Sequence, residues 1–128
     1  MSGHSPATVE DQGRRLADAM REQAPTVIVI WRSVESALLG HVVARELEAD
    51  LTYVIDDLGV LSFEDPVSPH ASVGLVSVDW TEAHGLAPLI RMVQAAGARI
   101  VGVGSVLPGP VVDEAADLEV HTLEELSG

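Results

Sequence analysis

The sequence predicts an α/β fold: three layers, with a mostly parallel five-stranded sheet flanked by helices. Three observations carry that expectation. Short, nearly continuous apolar runs rich in β-branched residues recur at 26–31, 51–55, 73–78 and 99–104, as strands buried on both faces require. Between them the apolar period changes to that of a helix, so strands and helices alternate along the chain. Finally, hydrophobic residues make up 47% of the chain but aromatics only 3%, so the core must be built from Val, Leu, Ile and Ala.

Residues 1–6 read as a disordered tip. Ser5-Pro6 and Thr8-Val9-Glu10-Asp11 have helix-start chemistry, and Val9, Leu16 and Met20 lie along one side of a helix that stops before Pro25. The first strand, 26–31 (TVIVIW), feeds a helix whose stripe is Leu38, Leu39, Val42, Val43 and Leu47. A second strand at 51–55 is closed by the turn residues Asp56-Asp57-Leu58-Gly59. One reading of 60–63 is a short edge strand beside the five; a weakly patterned stretch with Pro66 and Pro69 follows and predicts a mobile loop. The third strand, 73–78, runs into a polar loop ending at Gly85. The next helix starts near Leu86, has Pro88 in its first turn and Gly97 at its C-terminal end, and turns Leu89, Ile90 and Val93 to the sheet. The strand at 99–104, the Pro108-Gly109-Pro110 turn, a helical turn within 111–116 and a final edge strand at 118–121 complete the chain.

A chain of 128 residues fits one domain, 1–128, with a single core. The absence of Cys removes disulfides, thiolate metal sites and thiol nucleophiles. No apolar run reaches the roughly 20 residues of a membrane span, and the N-terminus lacks the pattern of a signal peptide, so a soluble cytoplasmic protein is expected. The formal net charge is -13, and the seven basic residues are all arginines: Arg14, Arg15, Arg21, Arg32, Arg45, Arg91 and Arg99. Nucleic acid and anionic membranes need clustered cations, so neither is an expected partner. Between Arg45 and Arg91 there is no basic residue but nine carboxylates: Glu46, Glu48, Asp50, Asp56, Asp57, Glu64, Asp65, Asp79 and Glu82. A polyphosphate would meet an unfavourable field there unless Mg²⁺ or a partner countered it.

The most informative stretch is 75–107, LVSVDWTEAHGLAPLIRMVQAAGARIVGVGSVL, a strand, loop, helix, strand unit. In open α/β sheets ligands sit where loops leave the carboxyl ends of strands, which makes 79–85 the default site. Element order and two segments resemble the type I phosphoribosyltransferase fold over about residues 27–126. VIVIWRSVESALLGHVVAREL resembles the family's first strand, pyrophosphate loop and helix, and LVSVDWTEAHGLA resembles its signature segment. The ending LEVHTL resembles the closing strand. The resemblance implies that paired acids after the third strand hold ribose hydroxyls and that a Thr/Gly loop cradles a 5′-phosphate on backbone N–H groups. The fold expected on this resemblance has a reduced hood.

The departures fall on the chemical positions. Of the acidic pair only Asp79 is present, with Val78 before it, and the loop reads Glu82-Ala83-His84-Gly85-Leu86. Glu82 would repel a phosphate by about 1 kcal/mol. Arg32 is followed by Ser33-Val34-Glu35, without the family's Gly pairs, and Asp56 and Asp57 stand where a basic residue is common. Asp79 is either a sugar or cation ligand or a solvated turn carboxylate. Asp79, Glu82 and His84 have a weak metal-like spacing that solvated loop residues equally explain, so no metal site is assigned. His84 as a general base would lack an identifiable partner. Arg32 either contacts an anion or pairs with Glu35 or another acid. Trp31 and Trp80 either form an aromatic patch for a ring or partner, or cap the core.

The expected function is a non-catalytic or regulatory module that binds a small molecule or a protein partner. Its expected site is the crevice of Trp31, Arg32, Ser33, Glu35, Asp79, Trp80, Thr81, Glu82, His84 and Gly85, with no catalytic residue and no cofactor assigned. The alternative is a divergent Mg²⁺-dependent phosphoribosyltransferase acting on a nucleobase-like substrate through Asp79 and Arg32. A homodimer built on the N-terminal helix and the tryptophans is a further expectation.

Overall fold

Five successive residues, Val27–Trp31, form strand β1 at the middle of the sheet, and their alternation divides the domain into layers. Ile28 and Ile30 point into one layer, Val29 and Trp31 into the other. The computed structural model describes residues 6–81, 84–109 and 113–123. Around β1 it places helix α1 (Pro6–Met20), α2 (Val34–Leu47), strands β2 (Asp50–Asp57), β3 (Val60–Phe63) and β4 (Ser72–Ser77), helix α3 (Leu86–Ala95), and strands β5 (Arg99–Ser105) and β6 (Val120–Thr122). The order across the sheet is β3-β2-β1-β4-β5-β6. All neighbours are parallel except β2 and β3.

The α/β sheet flanked by helices is therefore as expected, with one strand more than the predicted five. The addition is β3. Leu58 (φ 53°) and Gly59 (φ 88°) both take positive φ, the turn geometry that matches the twist of a two-residue hairpin. The Asp56 carboxylate accepts from the Gly59 N–H at 2.8 Å, so Asp56-Asp57 is turn chemistry. The stretch expected to be a mobile loop is tied down at several points. Thr52 Oγ1 donates to the Asp65 carbonyl at 2.9 Å and accepts from its N–H at 3.1 Å. Val67 is buried in the core, and the His70 N–H donates to Gly97 O at 2.8 Å.

α1 and α2 cover one face of the sheet and α3 the other. The first layer joins Leu16, Ala17 and Met20 to Ile28, Ile30, Leu39 and Val43. The second joins Val29, Trp31, Val54 and Leu75 to Leu89, Ile90 and Val93. Arg45 adds an ion pair between α2 and α1, with Glu10 at 3.0 Å, and its hydrogen bond holds the Glu10 carboxyl below its ordinary value. Exposed pairs of this kind contribute little, so the apolar stripe decides how α1 docks. Leu16 and Met20 of that stripe are fully buried against the sheet and α2. Among the described residues no helix is long and apolar enough to cross a membrane.

The chain leaves β1 on one side for β2 and β3, then crosses back to place β4 on the other. The order therefore reverses between β1 and β4. In sheets of this kind, ligand crevices form at such a reversal, outside the carboxyl ends of the strands. The predicted loop at 32–35 and the described residues of the other, 79–81 and 84–85, lie there.

Candidate functional site

β1 ends in a tight turn that starts α2. The Arg32 N–H continues the ladder to Val54 O at 3.0 Å, and the Ser33 N–H turns back to Trp31 O at 3.0 Å. Ser33 is extended (φ −144°, ψ 159°), and its Oγ accepts from the Ser36 N–H at 3.2 Å, an N-cap that satisfies one of the helix's open donors. Ser33 thus has a structural duty at the mouth of the site. Arg32 is exposed, and among the described residues its guanidinium has no ion pair or hydrogen bond, so the pairing with Glu35 offered as one reading does not form.

The end of β4 is anchored by serines. Ser77 Oγ donates to the Asp79 carbonyl at 2.6 Å and lies 3.4 Å from Ser36 Oγ, both buried. The Val78 carbonyl accepts from the Val106 and Leu107 N–H groups at 3.1 and 2.9 Å, holding this turn to the end of β5. Asp79 is half-buried.

Beyond it the loop folds onto the core. Thr81 Oγ1 accepts from the His84 N–H at 2.9 Å, and the Thr81 N–H donates to His84 O at 3.2 Å. The His84 ring stacks on Trp31, centroids 5.0 Å apart and planes inclined by 20°. Trp31 Nε1 donates to Gly85 O at 3.0 Å. Gly85 is the N-cap of α3, and a Cβ there would lie 3.2 Å from Thr81 O. Glu82 lies outside the described residues, so the Asp79, Glu82, His84 grouping is described only at its ends.

Trp31 and Trp80 are 2% and 6% exposed and belong to the core under α3. Of their two readings, core caps fit and an open aromatic patch does not. Trp80 is further covered by Gly109, where a Cβ would come 3.1 Å from the indole Cδ1.

The structure also assembles a cleft that the sequence does not suggest. About 440 Å³ in volume, it is lined by Arg32, Ser33, Val34, Ala37, Tyr53 and Glu64. Tyr53 and Glu64 come to it from β2 and the end of β3. The available signal was the strand alternation, which puts Tyr53 on the face opposite Val54.

No protein-family model matches the sequence, and no curated protein does. Solved structures do. An adenine phosphoribosyl transferase from Trypanosoma brucei, in complex with AMP, pyrophosphate and ribose-5-phosphate, is similar with a TM-score of 0.75 at 16% identity, over 93% of this chain and 64% of that one. The chain thus spans less than two thirds of that enzyme's length. A purine phosphoribosyltransferase from Pyrococcus horikoshii Ot3 matches with a TM-score of 0.62 at 16% identity, over 98% of this chain and 93% of that one. A hypothetical protein from Neisseria gonorrhoeae with bound ppGpp matches with a TM-score of 0.67 at 10% identity, over 94% and 80%. The fold is therefore that of these phosphoribosyltransferases, as the two segments and the element order imply.

Proposed function

We propose that this chain is a non-catalytic ligand-binding or regulatory module on a phosphoribosyltransferase-like scaffold, acting at the carboxyl edge of its sheet. The observation that carries this reading is the bonding of Thr81 to His84, the described residues at either end of the turn between β4 and α3. A phosphate cradle needs backbone N–H groups directed at the ligand. Here the N–H groups of Thr81 and His84 are engaged within the loop, and the loop is fastened to Trp31 through His84 and Gly85. Opening it would break both fastenings as well as the internal bonds.

Charge supports the same reading. Asp79 offers one carboxylate where the family's chemistry uses two, so a Mg²⁺-bound sugar pyrophosphate would be weakly held. Arg32 is the one cation of the two loops, against Glu35, Asp79 and Glu82. The Neisseria protein indicates that a scaffold of this shape can be found with a nucleotide bound, but the pyrophosphate groups of ppGpp would meet the same acidic wall here. A smaller, less charged ligand suits the edge better.

Calorimetric titration with phosphoribosyl pyrophosphate and Mg²⁺ tests the proposal. No measurable heat is expected up to millimolar sugar. Micromolar binding would overturn it in favour of the divergent transferase.

A further inference from the structure

We propose that the cleft between α2 and the β1–β2–β3 edge binds a small zwitterion, a free α-amino acid with an apolar side chain. Its carboxylate would meet Arg32 and its ammonium Glu64. This rests on the module reading above and names the ligand class for it.

Arg32 is the starting point. Arg14, Arg15, Arg21, Arg45 and Arg91 all form ion pairs, and Arg99 reaches Ser72 Oγ at 3.4 Å. Among the described residues Arg32 alone of the arginines has neither, in a chain with 20 acidic residues. Glu64, lining the same cleft, likewise has no partner for its carboxylate among the described residues. Two opposite charges thus share one cleft without pairing.

The strand register explains why. Trp31 pairs with Val54, and Val54 with Phe63, and all three pack into the α3 layer. Side chains alternate along strands, so Arg32, Tyr53 and Glu64, each one residue removed, fall on the α2 side. The Arg32 N–H bonds Val54 O at 3.0 Å and the Glu64 N–H bonds Tyr53 O at 2.8 Å, which fixes the two residues on either flank of β2. Their backbones are therefore two strand spacings apart, about 10 Å. Tyr53, from the strand between them, lines the same cleft, and a ligand that carries an ammonium and a carboxylate on neighbouring atoms can meet both charges.

The rest of the cleft fits the same class. The first turn of α2, the positive end of a 14-residue helix, opens at Arg32 and favours a carboxylate. Glu64 disfavours a phosphate dianion in the same space. Val34, 74% exposed, and Ala37 give an apolar wall that a ligand's side chain would cover. The volume, about 440 Å³, lies in the range of small-molecule sites.

The test is calorimetric titration of the full chain with L-leucine, N-acetyl-L-leucine and L-leucinamide. Leucine should bind, and removing either charge should weaken binding about tenfold or more, the usual effect of losing a charge-assisted hydrogen bond. Arg32→Gln and Glu64→Gln should each weaken leucine to a similar degree. Arg32→Gln should not weaken leucinamide further, nor Glu64→Gln N-acetyl-leucine. Both side chains are exposed, and thermal melts confirm that the variants fold. Equal binding of all three ligands, indifference of leucine to both substitutions, or no leucine binding at millimolar concentration would each overturn the assignment. Phosphoribosyl pyrophosphate with Mg²⁺ is titrated in parallel: heat from that sugar would remove the module reading itself, while silence from both ligands would remove only the amino-acid assignment.

Discussion

Trp31→Ala is expected to lower the free energy of unfolding by about 3–5 kcal/mol, the range for deleting a buried aromatic. The residue is 2% exposed, with Val29, Val54 and Leu75 in the same core layer. Its indole also supports the loop, through the bond to Gly85 O and the stack under His84. Trp31→Phe separates the two roles. Phenylalanine keeps much of the packing but leaves Gly85 O without its donor, at a cost of about 1–3 kcal/mol. Urea denaturation of both variants checks the pair of values. A loss below about 1 kcal/mol for Trp31→Ala would contradict the core role and return Trp31 to the exposed-patch reading.

Gly13→Ala should destabilise the protein by about 1–3 kcal/mol, the usual penalty of overpacking. The sign is the test, because in the interior of an exposed helix the same change stabilises by about 1 kcal/mol. Gly13 lies in α1 where it crosses α2, and a Cβ there would sit 2.4 Å from Val42 Cγ1 and 2.6 Å from Val42 Cβ. Neither helix can relieve this by moving a flexible side-chain end, so α1 must lift from α2. Val42→Ala in the same chain makes room and should restore part of the loss. A stabilised Gly13→Ala variant would mean that α1 does not dock as described.

How much was legible follows from what each residue answers to. The strands and their parallel order were readable because Ile28, Ile30, Val73 and Leu75 answer to local apolar density, a property of the segment itself. The stripe of α1 was readable at Leu16 and Met20. Gly13, one turn before Leu16, was not, since its meaning depends on Val42 of another helix. The bounds of β3 were legible at 60–63 and its turn at 56–59, but not the positive φ of Leu58 that sets the hairpin, which a leucine does not advertise. The candidate site was placed at the β1 and β4 ends because the rule for open sheets needs only strand order, and those two strands do flank the reversal. Its contents were not. His84 and Trp31 are 53 positions apart, and no spacing rule joins them. Glu64 reaches the Arg32 cleft only through the register of three strands.

Thr81 and His84 bond to each other between β4 and α3, and on the proposed reading their amides are not offered to a phosphate. Amide hydrogen exchange at Thr81 and His84, with and without phosphoribosyl pyrophosphate and Mg²⁺, addresses it most directly. Both amides donate within the loop, so both should be protected in the free protein and unchanged by the sugar. Rapid exchange in the free protein that slows when the sugar is added would contradict the account.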